Sequence, residues 1–281
     1  MSADNPDWTW RPANPKTFGI GRPGDVTGGV NHFTAGGSVD ALTRWIAKSH
    51  DDQKQDARAT GHINVGRKGS VIQGVKLKDR AYHAGTSPKR NDFWLGKKAM
   101  GNVNDFTIGV EMANYGPLKT AGTLHRPTFL NAYGKPYLGP TPVKAPDHRG
   151  VERWWEPYTD EAIAANIAVW RFIIEQYPLI TRETMASHSD VSPDRKTDPG
   201  PLFPWEYVLD EVFGTDKTII IAPALDSGII DLHPEDGDEA VAEIEHFSLT
   251  WGEDHVDEDP ELHYDYDAQM SMIDRVREPD D

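Results

Sequence analysis

Apolar residues change their spacing several times along this chain, and each change marks an element. In GGVNHFTAG (28–36) a short β-type core, Val30 to Thr34, ends at Gly36-Gly37. Ser38 is suited to cap a helix, and Val39, Leu42, Trp45 and Ile46 follow at helical spacing. HINVGRKGSVIQGV (62–75) reads as a strand, a Gly-containing turn and a second strand, which predicts a hairpin. DFTIGVEMANYG (105–116) is mostly apolar, as expected of a strand in the middle of a sheet. The clearest helix starts after Thr159, with Asp160 and Glu161 at its positive end. Ile163, Ile167, Trp170, Ile174 and Tyr177 then form one apolar stripe, and Pro178 stops it. Residues 116–157, rich in Pro, Gly and Tyr, predict an irregular surface insertion, and residues 1–27 predict coil. Strands interleaved with amphipathic helices imply an α/β domain, one sheet covered by helices.

The texture changes after Phe213. From Thr215 to the end there are 21 Asp and Glu against 3 Lys and Arg, a net of −18 within a whole-chain charge of −16. The first 214 residues therefore carry a net of +2. A near-neutral body with a polyanionic extension does not fit a nucleic-acid binder, which needs clustered Lys and Arg. The expected organisation is an N-terminal coil (1–27), an α/β domain (28–214) and an acidic, partly disordered C-terminal extension (215–281). The N-terminal stretch MSADNPDWTWRPANPKTFGI has no apolar core of a secretory signal, and no apolar run approaches the length that crosses a bilayer. The expectation is a soluble protein made in the cytoplasm.

Four stretches put polar side chains on apolar or rigid elements. VNHFTAGG has His32 in a short strand, and IGVEMAN has Glu111 inside an apolar one. SHSDVSP holds His188 in a polar turn, and RKTDPGP holds Lys196 and Asp198 on a Pro-stiffened loop. A carboxylate within a central strand is costly unless it is partnered or used. The chain has no Cys, so a metal site must be built from His and carboxylates. Two imidazoles and a carboxylate suit Zn²⁺, whose catalytic sites use three protein ligands and leave a fourth position open.

In this order the stretches resemble the zinc-dependent N-acetylmuramoyl-L-alanine amidases of the amidase-2 type, which share a fold with peptidoglycan recognition proteins and certain phage lysozymes. The resemblance spans roughly residues 28–210 and is strongest in HSDVSPDRKTDPGPLFPW, with GHINVGRKGSVIQGV and AYHAGTS in support. It implies a central mixed β-sheet flanked by helices. It implies His32, His188 and Asp198 as zinc ligands, Lys196 as the residue that assists the oxyanion, and Glu111 as the proton-transfer residue. The phage lysozymes place a catalytic Tyr where this chain has Gly61, and a Cys where it has Asp198. The resemblance is therefore to the Asp-liganded branch. His62 and His83 are candidate substrate contacts, with a structural role as the alternative for each. Trp154 and Trp155 are either sugar-stacking residues or a hydrophobic plug at the start of the long helix.

The function this resemblance implies is hydrolysis of the amide between N-acetylmuramic acid and L-alanine, with peptidoglycan or a muropeptide as substrate. The size, insertion and acidic extension favour a phage or prophage endolysin that reaches the wall with a holin. The alternatives are a cytosolic anhydro-muropeptide recycling amidase and a non-catalytic peptidoglycan binder or virion component of the same fold.

Overall fold

A computed structural model describes residues 2–47, 59–85, 102–123 and 126–214. Its centre is a six-stranded sheet in the order β1-β5-β4-β7-β3-β12. These strands are β1 (Thr9–Trp10), β3 (Gly28–Phe33), β4 (Ile63–Val65), β5 (Val71–Gln73), β7 (Thr107–Met112) and β12 (Met185–Ser187). β4, β7, β3 and β12 run parallel to one another, and β5 is antiparallel to β4. The sheet is thus mixed. The predicted hairpin is β4–β5, and the apolar run 105–116 supplies β7 in mid-sheet, both as the pattern implied.

Helix α1 (Val39–Ala47) starts where expected, with Ser38 Oγ accepting the Ala41 N–H. It packs Leu42, Trp45 and Ile46 with Ala13 and Val75. Helix α2 (Asp160–Gln176) is capped by Thr159 and covers one face of the sheet. Ile163, Ile167, Trp170 and Ile173 pack there on Ile63, Val65, Ile108, Val110 and Met112. The stripe bends from Ile174 towards Ile173, which is fully buried, while Ile174 lies at the edge. Helix α4 (Trp205–Phe213) adds Val208 and Val212 to the same core. On that face Asn31 Oδ1 of β3 accepts hydrogen bonds from Asn166 Nδ2 (2.9 Å) and Trp170 Nε1 (3.0 Å), so the buried amide oxygen is paired, while Asn31 Nδ2 has no partner among the described residues.

Three expectations are revised. Residues 116–157 are not irregular: they form a four-stranded antiparallel sheet, β10-β11-β8-β9, from β8 (Pro117–Thr123), β9 (Arg126–Leu130), β10 (Val143–Pro146) and β11 (Glu152–Trp155). Its strands have little buried apolar alternation, so periodicity does not announce them. The first 27 residues carry β1, β2 (Phe18–Gly19) and a 3₁₀ turn; β2 pairs with β6 (Arg80–Ala81). The polar turn at His188 is a one-turn helix, α3 (His188–Val191), directly after β12. The acidic extension expected from residue 215 lies outside the described residues. Among the described residues no helix is long and apolar enough to cross a membrane.

Candidate metal centre and active site

β3 and β7 are parallel neighbours with His32 in register with Glu111, so both side chains leave the sheet on one face. Alternation splits β7. Ile108, Val110 and Met112 enter the core under α2, and Thr107, Gly109 and Glu111 point to the opposite side. His188 follows β12, which pairs with β3. Its position is set by a capping box: Ser187 Oγ accepts the Asp190 N–H, and Asp190 Oδ2 accepts the Ser187 N–H, each at 2.9 Å. Asp198 arrives on the Pro-rich loop. Its carbonyl accepts the Ser189 N–H at 3.0 Å, the Asp198–Pro199 peptide is cis, and Tyr158 donates to Pro199 O at 2.8 Å.

These elements bring His32 Nδ1, His188 Nδ1 and Asp198 Oδ2 into a triangle with every side 2.9 Å. All three residues are buried. Burial pushes the His188 imidazole down to about 3, against the opposing pull of Asp198. Burial pushes Asp198 up, but the nearby His188 and His32 outweigh it and hold the carboxyl well below its ordinary range. The set thus offers an ionised carboxylate and a neutral His188 ring. It is a group of side chains that could hold a metal ion.

A hydrogen-bond chain explains why the His32 ring presents Nδ1. Thr107 Oγ1 donates to Val103 O at 2.7 Å, so it accepts from His83 Nε2 at 3.2 Å. Burial holds the His83 ring well below its usual pKa, with His32 and His62 adding to the effect, and the ring is neutral. A neutral ring that donates from Nε2 accepts at Nδ1, and His32 Nε2 lies 3.0 Å away as the donor. His32 Nε2 is thus engaged with His83, and Nδ1 is the ring atom that faces the triangle. His83 itself is fixed by its backbone N–H and that of Ala84, both donated to Asn104 Oδ1.

Glu111 stands beside this group. Its Oε2 is buried with no hydrogen-bond partner among the described residues. Burial raises its pKa to about 7, with His32 and Lys196 opposing the shift and Asp198 adding to it. Lys196 is 4 % exposed and contributes positive charge at both Glu111 and His188. Gly61 gives Glu111 its room: a Cβ there would lie 2.7 Å from Glu111 Cγ.

His62 is fully buried one strand away. Its Nδ1 accepts the Gly109 N–H at 3.0 Å, and its Nε2 lies 3.1 Å from Asp79 O and 2.7 Å from Arg22 Nη2. Burial and the Arg22 charge hold it neutral. The rings of His62 and His83 are both engaged within the protein. Sequence reasoning missed Thr107 and Asn104, which no local pattern marks. The two tryptophans differ in burial. Trp155 is a buried plug against Phe33 and Ala35, and Trp154 is half-buried on the second sheet, ring to edge with Phe129 at 5.1 Å.

Residues 22–201 match the amidase-2 family, described as N-acetylmuramoyl-L-alanine amidase. The chain belongs to this family. It is 28 % identical over 155 residues to the 1,6-anhydro-N-acetylmuramyl-L-alanine amidase AmpD of Haemophilus influenzae, covering 55 % of this chain and 59 % of that one. The Escherichia coli AmpD is 30 % identical over 148 residues, 53 % of this chain and 55 % of that one. The E. coli N-acetylmuramoyl-L-alanine amidase AmiD is 29 % identical over 51 % of this chain and 38 % of its own length. The chain therefore spans less than two thirds of these relatives. Among solved structures, a selenomethionine AmpD derivative aligns with a TM-score of 0.48 and 21 % identity over 76 % of this chain and 99 % of that one. A complex of E. coli AmiD with anhydro-N-acetylmuramic acid-L-Ala-D-gamma-Glu-L-Lys aligns with a TM-score of 0.45 and 24 % identity over 68 % and 58 %.

Proposed function

We propose that this protein is a zinc-dependent amidase that hydrolyses the amide between the lactyl group of N-acetylmuramic acid and L-alanine. The observation that carries this reading is the convergence of three buried donor atoms, two Nδ1 and one carboxylate oxygen, beside Glu111, whose Oε2 has no hydrogen-bond partner among the described residues. Two nitrogens and an oxygen, with no thiolate in the chain, suit Zn²⁺ held by His32, His188 and Asp198. When bound, the ion supplies Lewis acidity towards the amide carbonyl and towards water.

The rest of the chemistry falls to the chain. The His83–Thr107 relay keeps His32 Nδ1 unprotonated. Glu111, with a pKa of about 7, takes a proton from water at Oε2 and returns it to the leaving amine nitrogen. Lys196 supplies fixed positive charge where the amide oxygen becomes anionic. The presence of Asp198, Lys196 and Glu111 together favours an enzyme over a binder of the same fold.

The endolysin and recycling settings differ in substrate. The 1,6-anhydro-N-acetylmuramyl names of the H. influenzae and E. coli relatives favour a small anhydro-muropeptide over the intact wall. The test is mass spectrometry of digests of purified sacculi and of soluble anhydro-muropeptide, with metal analysis of the same preparation. About one zinc per chain and release of a peptide with a free L-Ala amino terminus are expected. Active protein without transition metal overturns the mechanism, and cleavage of sacculi alone returns the reading to an endolysin.

A further inference from the structure

A cleft of about 510 Å³ opens on the second sheet and reaches the metal-binding loop at Thr197. Its size is that of a small-ligand site. Leu118, Lys119, Trp154 and Arg153 line one side, on β8 and β11. Thr197 lies between Lys196 and Asp198 in the chain, so the cleft borders the proposed reaction centre.

Two observations point to an occupant. Thr197 is 4 % exposed, yet its Oγ1 has no hydrogen-bond partner among the described residues. A buried hydroxyl left unpaired is uncommon and calls for a ligand or a cause. The second is charge. Asp147 Oδ2 holds Arg153 by Nε and Arg149 by Nη2, each at 3.2 Å, so Arg153 is oriented while its two Nη groups make no hydrogen bond among the described residues. Lys119 has no ion pair among the described residues, and Glu152, also in the lining, lies 4.0 Å from Lys144. The lining thus combines a half-buried indole, a hydroxyl and outward guanidinium and ammonium donors. Such donors match carboxylates.

We infer that this cleft binds the carboxylate-bearing peptide arm of the substrate, with Arg153 and Lys119 on its carboxylates and Thr197 Oγ1 on its backbone. The inference rests on the amidase reading and goes beyond it. The sugar half of a muramoyl amide is uncharged at the lactyl end, whereas a peptide arm always carries at least its terminal carboxylate. The cationic lining therefore selects the peptide.

The probe is the product peptide L-Ala-D-gamma-Glu-L-Lys, which needs no cleavage, titrated calorimetrically into zinc-loaded full-length protein. The same peptide with its carboxylates amidated is the comparison. Wild type should favour the acid by about 10-fold, and Lys119→Glu should bring the ratio close to one. Thr197→Val should weaken both peptides by about 2–10-fold and leave zinc content and thermal midpoint unchanged or higher, because it removes a hydroxyl that bonds nothing in the free protein. Equal binding of acid and amide by wild type, or a Lys119→Glu variant that keeps the preference, overturns the inference. So does a lower thermal midpoint in Thr197→Val, which would make the hydroxyl structural. Cleavage is read separately. Protein that prefers the acid but cuts no muropeptide refutes the amidase reading alone, and protein that cuts but binds acid and amide alike refutes the cleft alone.

Discussion

Replacing Thr107 with Val tests whether the hydrogen-bond chain behind His32 controls metal binding. Valine keeps the shape of threonine and removes one acceptor and one donor. The site is fully buried, so water cannot replace them. Val103 O keeps the Phe106 N–H at 3.3 Å, so the main loss is at His83. His83 then has two options. It keeps its proton on Nε2, now unpaired, at a cost of about 1–3 kcal/mol. Or it moves the proton to Nδ1, which faces His32 Nε2–H at 3.0 Å and drives the His32 proton onto Nδ1, inside the ligand triangle. Both routes weaken the metal site. Outer-shell partners of a metal-bound His are typically worth about 10–100-fold in affinity, or about 1.4–2.7 kcal/mol, the same range as the unpaired N–H. The assay is competition for Zn²⁺ against a chromophoric chelator, with Thr107→Ser as the control that keeps the hydroxyl. Thr107→Val should bind zinc about 10–100-fold more weakly, and Thr107→Ser within a few-fold of wild type. Equal affinity in Thr107→Val and wild type would show that the relay does not set the His32 tautomer.

Glu111→Gln should keep zinc and fold while turnover falls about 10²–10⁴-fold; near-wild-type rates on a soluble muropeptide would move proton transfer to another group. Gly61→Ala should retain zinc but lower kcat by about 10–100-fold, because its new Cβ would meet Glu111 Cγ at 2.7 Å and displace the carboxylate; an unchanged kcat would mean Glu111 need not stay where it is. Asp147→Asn should destabilise the protein at pH 7 by about 1–3 kcal/mol in chemical denaturation, since Asp147 holds the turn between β10 and β11 through the Arg149 and Val151 N–H groups as well as the two arginines. Burial raises the Asp147 pKa, but those hydrogen bonds bring it below the ordinary 3.8; its contribution is therefore present above that pH and lost as pH falls through the lower folded value, so a mutant gap that stays constant down to pH 2 would contradict the assignment.

The elements legible in the sequence are those with a periodic apolar face. Val39 to Ile46 and Ile163 to Trp170 announce helices because their stripes pack on the sheet, and Ile63 to Gln73 announces a hairpin because a Gly-containing turn joins two short apolar runs. The three candidate metal donors were legible only jointly. His32, His188 and Asp198 are 156 and 10 residues apart along the chain, and family order rather than local pattern connected them. Their support was not legible. Thr107 reads as an ordinary strand residue, and its contact with His83 spans 24 residues. The second sheet escaped for another reason. Its strands leave side chains such as Val143 exposed, so backbone pairing holds it and no buried stripe marks it.

Two glycines show how the sheet makes room for chemistry. Neither Gly61 nor Gly109 is among the residues with positive φ, so backbone freedom does not explain them. Space does. A Cβ on Gly109 would sit 2.4 Å from His83 Cγ, and one on Gly61 would sit 2.7 Å from Glu111 Cγ. Gly109 lies inside β7 and Gly61 two residues before β4; a strand interior normally disfavours glycine, and it is tolerated where another group must approach closely. Here the approaching groups are the His83 ring behind His32 and the Glu111 carboxylate. The same contact rationalises the departure at position 61. A tyrosine there and a glutamate at 111 would claim one volume, so the two side chains exclude each other. Glycine at 61 is thus the steric complement of Glu111, and glycine at 109 that of His83. The face of β7 away from α2 is hollowed beside the candidate metal site while Ile108, Val110 and Met112 on its other face complete the core.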